Sequence, residues 1–169
     1  MDEIKLNLEN LTTEEREQLM KLVEKGNKKP VEKQKVWKPE LGDTYYFTWS
    51  DGEIDSHKWE GNVGDNFRWM VGSVYKTEED LKFAIEKRET EMMLQRYADE
   101  NNEDGFDILD EDTEKIHIEY CLDNSRLDFD SYGSYLFGNV VYFSSEDIAN
   151  KAIESVGEDR IKKYIFGVK

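Results

Sequence analysis

The chain has 169 residues, enough for one domain or two small ones packed together, and carries a formal net charge of −16 with 37% charged and 12% aromatic residues. The aromatic content supports a core and argues against global disorder, and no apolar run approaches the ~20 residues a membrane helix needs. So large an acidic excess disfavours nucleic-acid binding through the whole surface, since phosphate contacts need clustered Lys and Arg, and favours a basic partner instead.

The opening "MDEIKLNLENL" lacks the basic-then-apolar layout of a secretory signal, and the single cysteine, Cys121, fits a reducing compartment, so a cytoplasmic location is expected. An amphipathic helix is predicted over 1–26. Thr12 and Glu15 form a capping box, Leu11, Leu19, Leu22 and Val23 recur at helical spacing, and Gly26 suits the helix end. "NKKPVEKQKVWK" (27–38) then reads as a basic linker carrying Lys28, Lys29, Lys33 and Lys35.

The region 39–98 is expected to form a first α+β unit. Two aromatic-rich runs in "TYYFTWSDGEIDSHKW" flank Asp51-Gly52 and predict a hairpin. "FRWMVGSVY" is expected to add a third strand, and Thr77 to cap a long helix from Glu78 to Ala98. After an acidic connection (99–114), the same order is expected in 115–169: "KIHIEYC", "RLDF" and "LFGNVVYF" as strands, then a helix opened by Ser145. A final short helix or turn, "DRIKKYIFGV", would dock Tyr164, Ile165 and Phe166 onto the body. The echo is local as well as global, since Tyr75, Thr77, Glu78, Ala84, Ile85 and Glu86 align with Phe143, Ser145, Glu146, Ala152, Ile153 and Glu154. The expected fold is therefore α+β, two consecutive strand–strand–strand–helix units with a possible internal duplication, preceded by the N-terminal helix.

The stretches "LTTEEREQLMKLVEKGNKK", "VWKPELGDTYYF" and "VGEDRIKKYIFGV" together resemble small, mostly uncharacterised proteins of phages and prophages of low-GC Gram-positive bacteria. The resemblance covers most of the chain, the acidic connection being its least typical part. It brings no catalytic residues. It implies an accessory phage product made in bacterial cytoplasm, in a class that includes inhibitors of host defence of the anti-CRISPR and anti-restriction type.

The connection "DENNEDGFDILDEDTE" holds nine acids, Asp99, Glu100, Glu103, Asp104, Asp107, Asp110, Glu111, Asp112 and Glu114, and no Lys or Arg. Duplex DNA presents about one charge per 1.7 Å of axis. A protein imitating it must crowd acids and exclude bases, so these nine residues are the expected contact for the basic surface of a nuclease or other nucleic-acid-handling protein. Residues 100–111 also partly fit a calcium loop, with Glu100, Asn102, Asp104, Gly105 and Glu111 at positions one, three, five, six and twelve, but Glu100 and Asp107 depart from its pattern. His117 and Cys121 stand four residues apart on one expected strand, about 13 Å, too far for a thiol to be activated directly. With two His and one Cys in all, no metal or cofactor is expected, and nothing selects a catalytic group. Trp49, Trp59 and Trp69 are expected mainly in the core, with Trp59 as a candidate anchor at the protein interface. The alternative is a nucleic-acid-binding accessory protein using the basic linker and the sheet aromatics.

Overall fold

The computed structural model describes residues 11–27, 36–131 and 135–168. The chain divides into two units, Met1–Trp37 and Lys38–Lys169. In the first unit, α1 (Thr13–Asn27) opens on the expected capping box. The Thr12 amide donates to Glu15 Oε2 at 2.8 Å, and the Glu15 amide returns a hydrogen bond to Thr12 Oγ1 at 3.3 Å. The linker lysines Lys28, Lys29, Lys33 and Lys35 lie outside the described residues.

The second unit begins with the predicted hairpin. β1 (Thr44–Thr48) pairs antiparallel with β2 (Ile54–Lys58), Thr44 opposite Lys58 and Thr48 opposite Ile54, and Gly52 takes the positive φ of 91° that the turn demands. Side-chain alternation sends Tyr45 and Phe47 inward, 0% and 3% exposed, while β2 stays at the surface.

The expected third strand is overturned. Residues Val63–Met70 form a helix, α2, because Asn62 and Asp65 make a capping box: the Asp65 amide donates to Asn62 Oδ1 at 2.9 Å and the Asn62 amide to Asp65 Oδ2 at 3.4 Å. Two cap bonds and a helical turn outcompete the strand that the apolar run suggests. Only Tyr75 pairs as a strand residue, exchanging hydrogen bonds of 2.9 and 3.0 Å with Tyr46. Thr77 Oγ1 then accepts from the Asp80 amide at 3.1 Å and starts α3 (Glu78–Asn101), a little longer than expected.

A hairpin, a bridging aromatic and a capped helix also follow in the second half, but among the described residues nothing there matches α2, so the order recurs only in part and does not demonstrate a duplication. β3 (Ile116–Cys121) pairs with β4 (Arg126–Ser131), Phe143 exchanges hydrogen bonds of 3.0 and 2.8 Å with Ile116, and Ser145 caps α4 (Glu146–Val156). In each half the third strand shrinks to one bridging aromatic, since the cap two residues later leaves no length for more pairing. The described strands form two separate two-stranded sheets, and the architecture is α+β.

The core is shared between the halves. Leu94 and Ala98 of α3 pack with Ile116, Phe143, Ala149, Ala152, Val156 and Ile161. Ala149 and Ala152, both fully buried, let α4 approach α3 closely. α5 (Glu158–Tyr164) follows Gly157 and is clamped to α3 by Arg160. Its guanidinium donates to Thr90 Oγ1 at 2.9 Å and pairs with Glu86 and Glu89 at 2.8 and 3.0 Å.

Candidate partner-binding surface

Asp99 and Glu100 stand in the last turn of α3, which holds no basic residue. A helix C-terminus carries partial negative charge, so acids there cost roughly 0.3–1 kcal/mol each where Lys or Arg would stabilise. The other end of α3 obeys the rule, with Glu78, Glu79 and Asp80 in its first turn. The C-terminal end breaks the rule, although Gln95 Nε2 donates to Asp99 Oδ1 at 2.7 Å and holds one of the two acids in place.

Asn102 ends the helix and ties the acidic connection to the second half. Its Nδ2 donates to the Tyr142 carbonyl at 3.1 Å, its Oδ1 accepts from the Ser144 amide at 2.9 Å, and the Glu103 amide donates to Ser144 Oγ at 3.0 Å. Successive turns follow. Asp107 Oδ1 accepts from the Leu109 amide at 2.8 Å, while the two Asp110 oxygens accept from the Asp112 amide and the Thr113 hydroxyl, both at 3.0 Å. Those bonds, the Asp112 amide first, hold the Asp110 carboxyl below the ordinary range. Lys115, 1% exposed, closes the far end by donating from Nζ to the carbonyls of Asp110 and Thr113.

That scaffold sorts the nine acids. Asp99, Glu103, Asp104 and Asp107 line one groove of about 490 Å³, together with Phe106, Ile108 and Tyr142. Glu100, Asp110, Glu111, Asp112 and Glu114 lie outside its lining. The Lys and Arg ion pairs of the second unit lie elsewhere, on α3 (Lys82–Glu78, Lys87–Glu91), β4 (Arg126–Asp128), α4 (Lys151–Asp147) and α5 (Lys162–Glu158) and from α5 to α3 (Arg160 with Glu86 and Glu89), and among the described residues none joins a groove acid. Four carboxylates that make no ion pair among the described residues, two of them hydrogen-bonded (Asp99 by Gln95, Asp107 by the Leu109 amide), lie over a partly apolar wall and can receive a Lys or Arg head with its aliphatic stem.

Replacing Lys115 by Met keeps the stem and removes the ammonium from two carbonyls. The expected cost is about 1.5–3 kcal/mol in denaturant unfolding, with faster amide exchange across 109–114. Unchanged exchange in those turns would refute the role of Lys115 as their lock.

Trp59 is not a surface anchor. It is 5% exposed, its amide donates to the Asp43 carbonyl at 2.8 Å, and its ring meets Tyr45 edge-on at 5.8 Å. Period-two alternation continued beyond β2 turns it toward the core. Trp49 and Trp69 are the partly exposed pair, 48% and 38%, and both carry cations, Arg68 lying 5.4 Å from the Trp49 ring and Lys38 Nζ 4.8 Å from that of Trp69.

The calcium pattern meets a different geometry. Residues 100 and 101 are still helical, and the Asn102 side chain is engaged with Tyr142 and Ser144. Among the described residues no three His, Cys, Asp or Glu are placed to hold a metal ion. His117 is buried against Phe137 and Tyr142, with Nε2 3.1 Å from Glu119 Oε1, and Cys121 sits at the other end of β3 opposite Arg126.

A buried polar centre went unread in the sequence. Asp65, fully buried, accepts from the Tyr45 hydroxyl at 2.8 Å and the Glu60 amide at 2.8 Å, and Arg68 Nη1 reaches the same hydroxyl at 3.0 Å. Burial pushes the Asp65 carboxyl up, but Tyr45 and the amides of Glu60, Asn62 and Gly61 together hold it below the ordinary range. The spacing Asn62-x-x-Asp65 was the signal that could have revealed it. No helix among the described residues is long and apolar enough to cross a membrane. Set against protein-family models, curated proteins and solved structures, the chain matches none of them.

Proposed function

We propose that this chain is an acidic accessory protein of a phage or prophage. In this reading it acts in the bacterial cytoplasm by binding, and thereby inhibiting, a nucleic-acid-handling protein of the host. The observation that carries the reading is the groove at the end of α3, where Asp99, Glu103, Asp104 and Asp107 converge with no basic partner among the described residues. The unfavourable placement of Asp99 and Glu100 at the helix C-terminus supports it.

The mechanism is occupancy. A Lys/Arg-lined channel that tracks a phosphate backbone meets carboxylates instead, and the nucleic acid is displaced. Asp110, Glu111, Asp112 and Glu114 extend the negative field beyond the groove, steering encounter within the ~8–10 Å over which salt leaves charges visible. Turnover and a cofactor have no part in it.

The test is a set of cleavage assays with restriction and CRISPR nucleases of low-GC Gram-positive bacteria. At least one nuclease is expected to be inhibited. The inhibition should weaken steeply as salt rises and be relieved by excess duplex DNA, because both compete for the same charges. Inhibition indifferent to salt and to competing DNA would contradict a charge-led contact.

A further inference from the structure

α2 is an amphipathic helix turned inside out. Its charged residues face the protein: Asp65 is fully buried, and Arg68 bonds the Tyr45 hydroxyl and covers the Phe47 ring at 4.2 Å. Its apolar residues face solvent, with Val63 88%, Phe67 59%, Met70 69% and the following Val71 53% exposed. The spacing 63, 67, 70, 71 makes one stripe along a helix about 12 Å long. Leu41, 80% exposed, lies by the loop that leads into α2, its Cδ2 3.8 Å from where a side chain on Gly61 would begin. The outward arc of Val63, Gly64, Asn66, Phe67, Met70 and Val71 holds no ionisable group, in a chain of net charge −16.

We propose that this stripe is a two-fold contact with a second copy of the chain. Two bodies of like charge approach at least cost through their uncharged surface. The stripe is also self-complementary. When two copies of α2 run antiparallel with Phe67 on the axis, Val63 meets Val71 of the other copy, and Met70 lies over Gly64, which carries no side chain to block it. Each contact occurs twice, as a two-fold interface requires. The few side chains involved place it below the standard interface size, so the dimer is weak and forms reversibly with concentration. Its salt dependence is opposite to that of the acidic groove: screening like charges tightens the dimer, whereas it loosens a charge-led partner. The two readings therefore stand or fall separately.

Sedimentation velocity of the full chain over two decades of concentration tests this, at low and at high salt. The expected result is a monomer–dimer equilibrium that tightens with salt. Phe67→Glu should weaken it at least about tenfold, while Leu122→Glu, at another exposed apolar site (83%), should leave it unchanged. Val63→Lys and Val71→Glu should each weaken self-association, and mixing the two variants should restore a mixed dimer, since those positions face each other. These sites are exposed, and matching melting temperatures exclude unfolding as the cause. A monomer at every concentration, a dimer indifferent to Phe67→Glu, or a dimer dispersed by salt would each overturn the proposal.

Discussion

Replacing Asp65 by Ala is expected to cost about 3–5 kcal/mol, a large share of the ~5–15 kcal/mol that holds a typical domain together. The loss is compound. The carboxylate accepts the Tyr45 hydroxyl and the amides of Glu60 and Asn62, and it completes the capping box of α2. Removing it strands buried donors, among them the Tyr45 hydroxyl, which still accepts from Arg68 but has no acceptor for its own proton. Asn in its place keeps an acceptor but aims an amide donor at other donors, so Asp65→Asn should also destabilise.

The same residue fixes a pH dependence. Its folded pKa lies below the ordinary value, despite burial, because of the hydrogen bonds it accepts. The unfolded chain therefore takes up this proton first as pH falls. The stability Asp65 contributes is full above about pH 4 and is lost as pH drops through the folded pKa. Asp65→Asn should flatten that part of the acid-unfolding curve. An unchanged slope in the variant would remove Asp65 from the account of acid sensitivity.

The second large effect is expected at Phe143, which is fully buried, bridges to Ile116 and packs against both α3 and α4. Phe143→Ala should cost about 3–5 kcal/mol, lowering the melting temperature by roughly 6–20 °C for a chain of this size. Its counterpart Tyr75 makes the same backbone bridge but is only half-buried, so Tyr75→Ala should cost about half as much. Phe143 also lies between Tyr142 and Ser144, which anchor Asn102 and Glu103. Amides across 103–114 should consequently exchange faster in Phe143→Ala than in Tyr75→Ala. Equal costs at the two positions would show that the halves do not share one core centred on the second.

Much of this fold is written in short-range chemistry, and that part was legible. Asp51-Gly52 marks the first hairpin, and Thr12, Thr77 and Ser145 mark helix starts. The misread strand shows where local reading fails. "FRWMV" is apolar enough for a strand, and its pattern suits a helix only if the apolar side faces water, which burial arguments do not anticipate. Trp59 is a milder case: the core placement expected of the tryptophans holds for it, and only its reading as an interface anchor fails, because its ring packs on Tyr45.

The candidate site was half legible. Nine acids and no base in 99–114 are evident from composition. Which four share a groove depends on a helix running on to Asn101 and on side-chain bonds across some forty residues of sequence, from Asn102 to Tyr142 and Ser144. Long-range pairing of that kind has no local signature. Lys115 is hidden for a different reason: its carbonyl partners are local, but a lysine beside an acidic run suggests a surface counter-ion, and here it lies beneath the turns.

The most direct measurement is affinity capture from a lysate of a low-GC Gram-positive bacterium at low salt. The wild-type chain would be compared with a variant carrying Asp99→Asn, Glu103→Gln, Asp104→Asn and Asp107→Asn. The account predicts that wild type retains a nucleic-acid-handling protein, that raised salt releases it, and that the variant, equally folded, does not hold it. Retention of the same protein by both chains would contradict the account and move the contact away from the acidic groove.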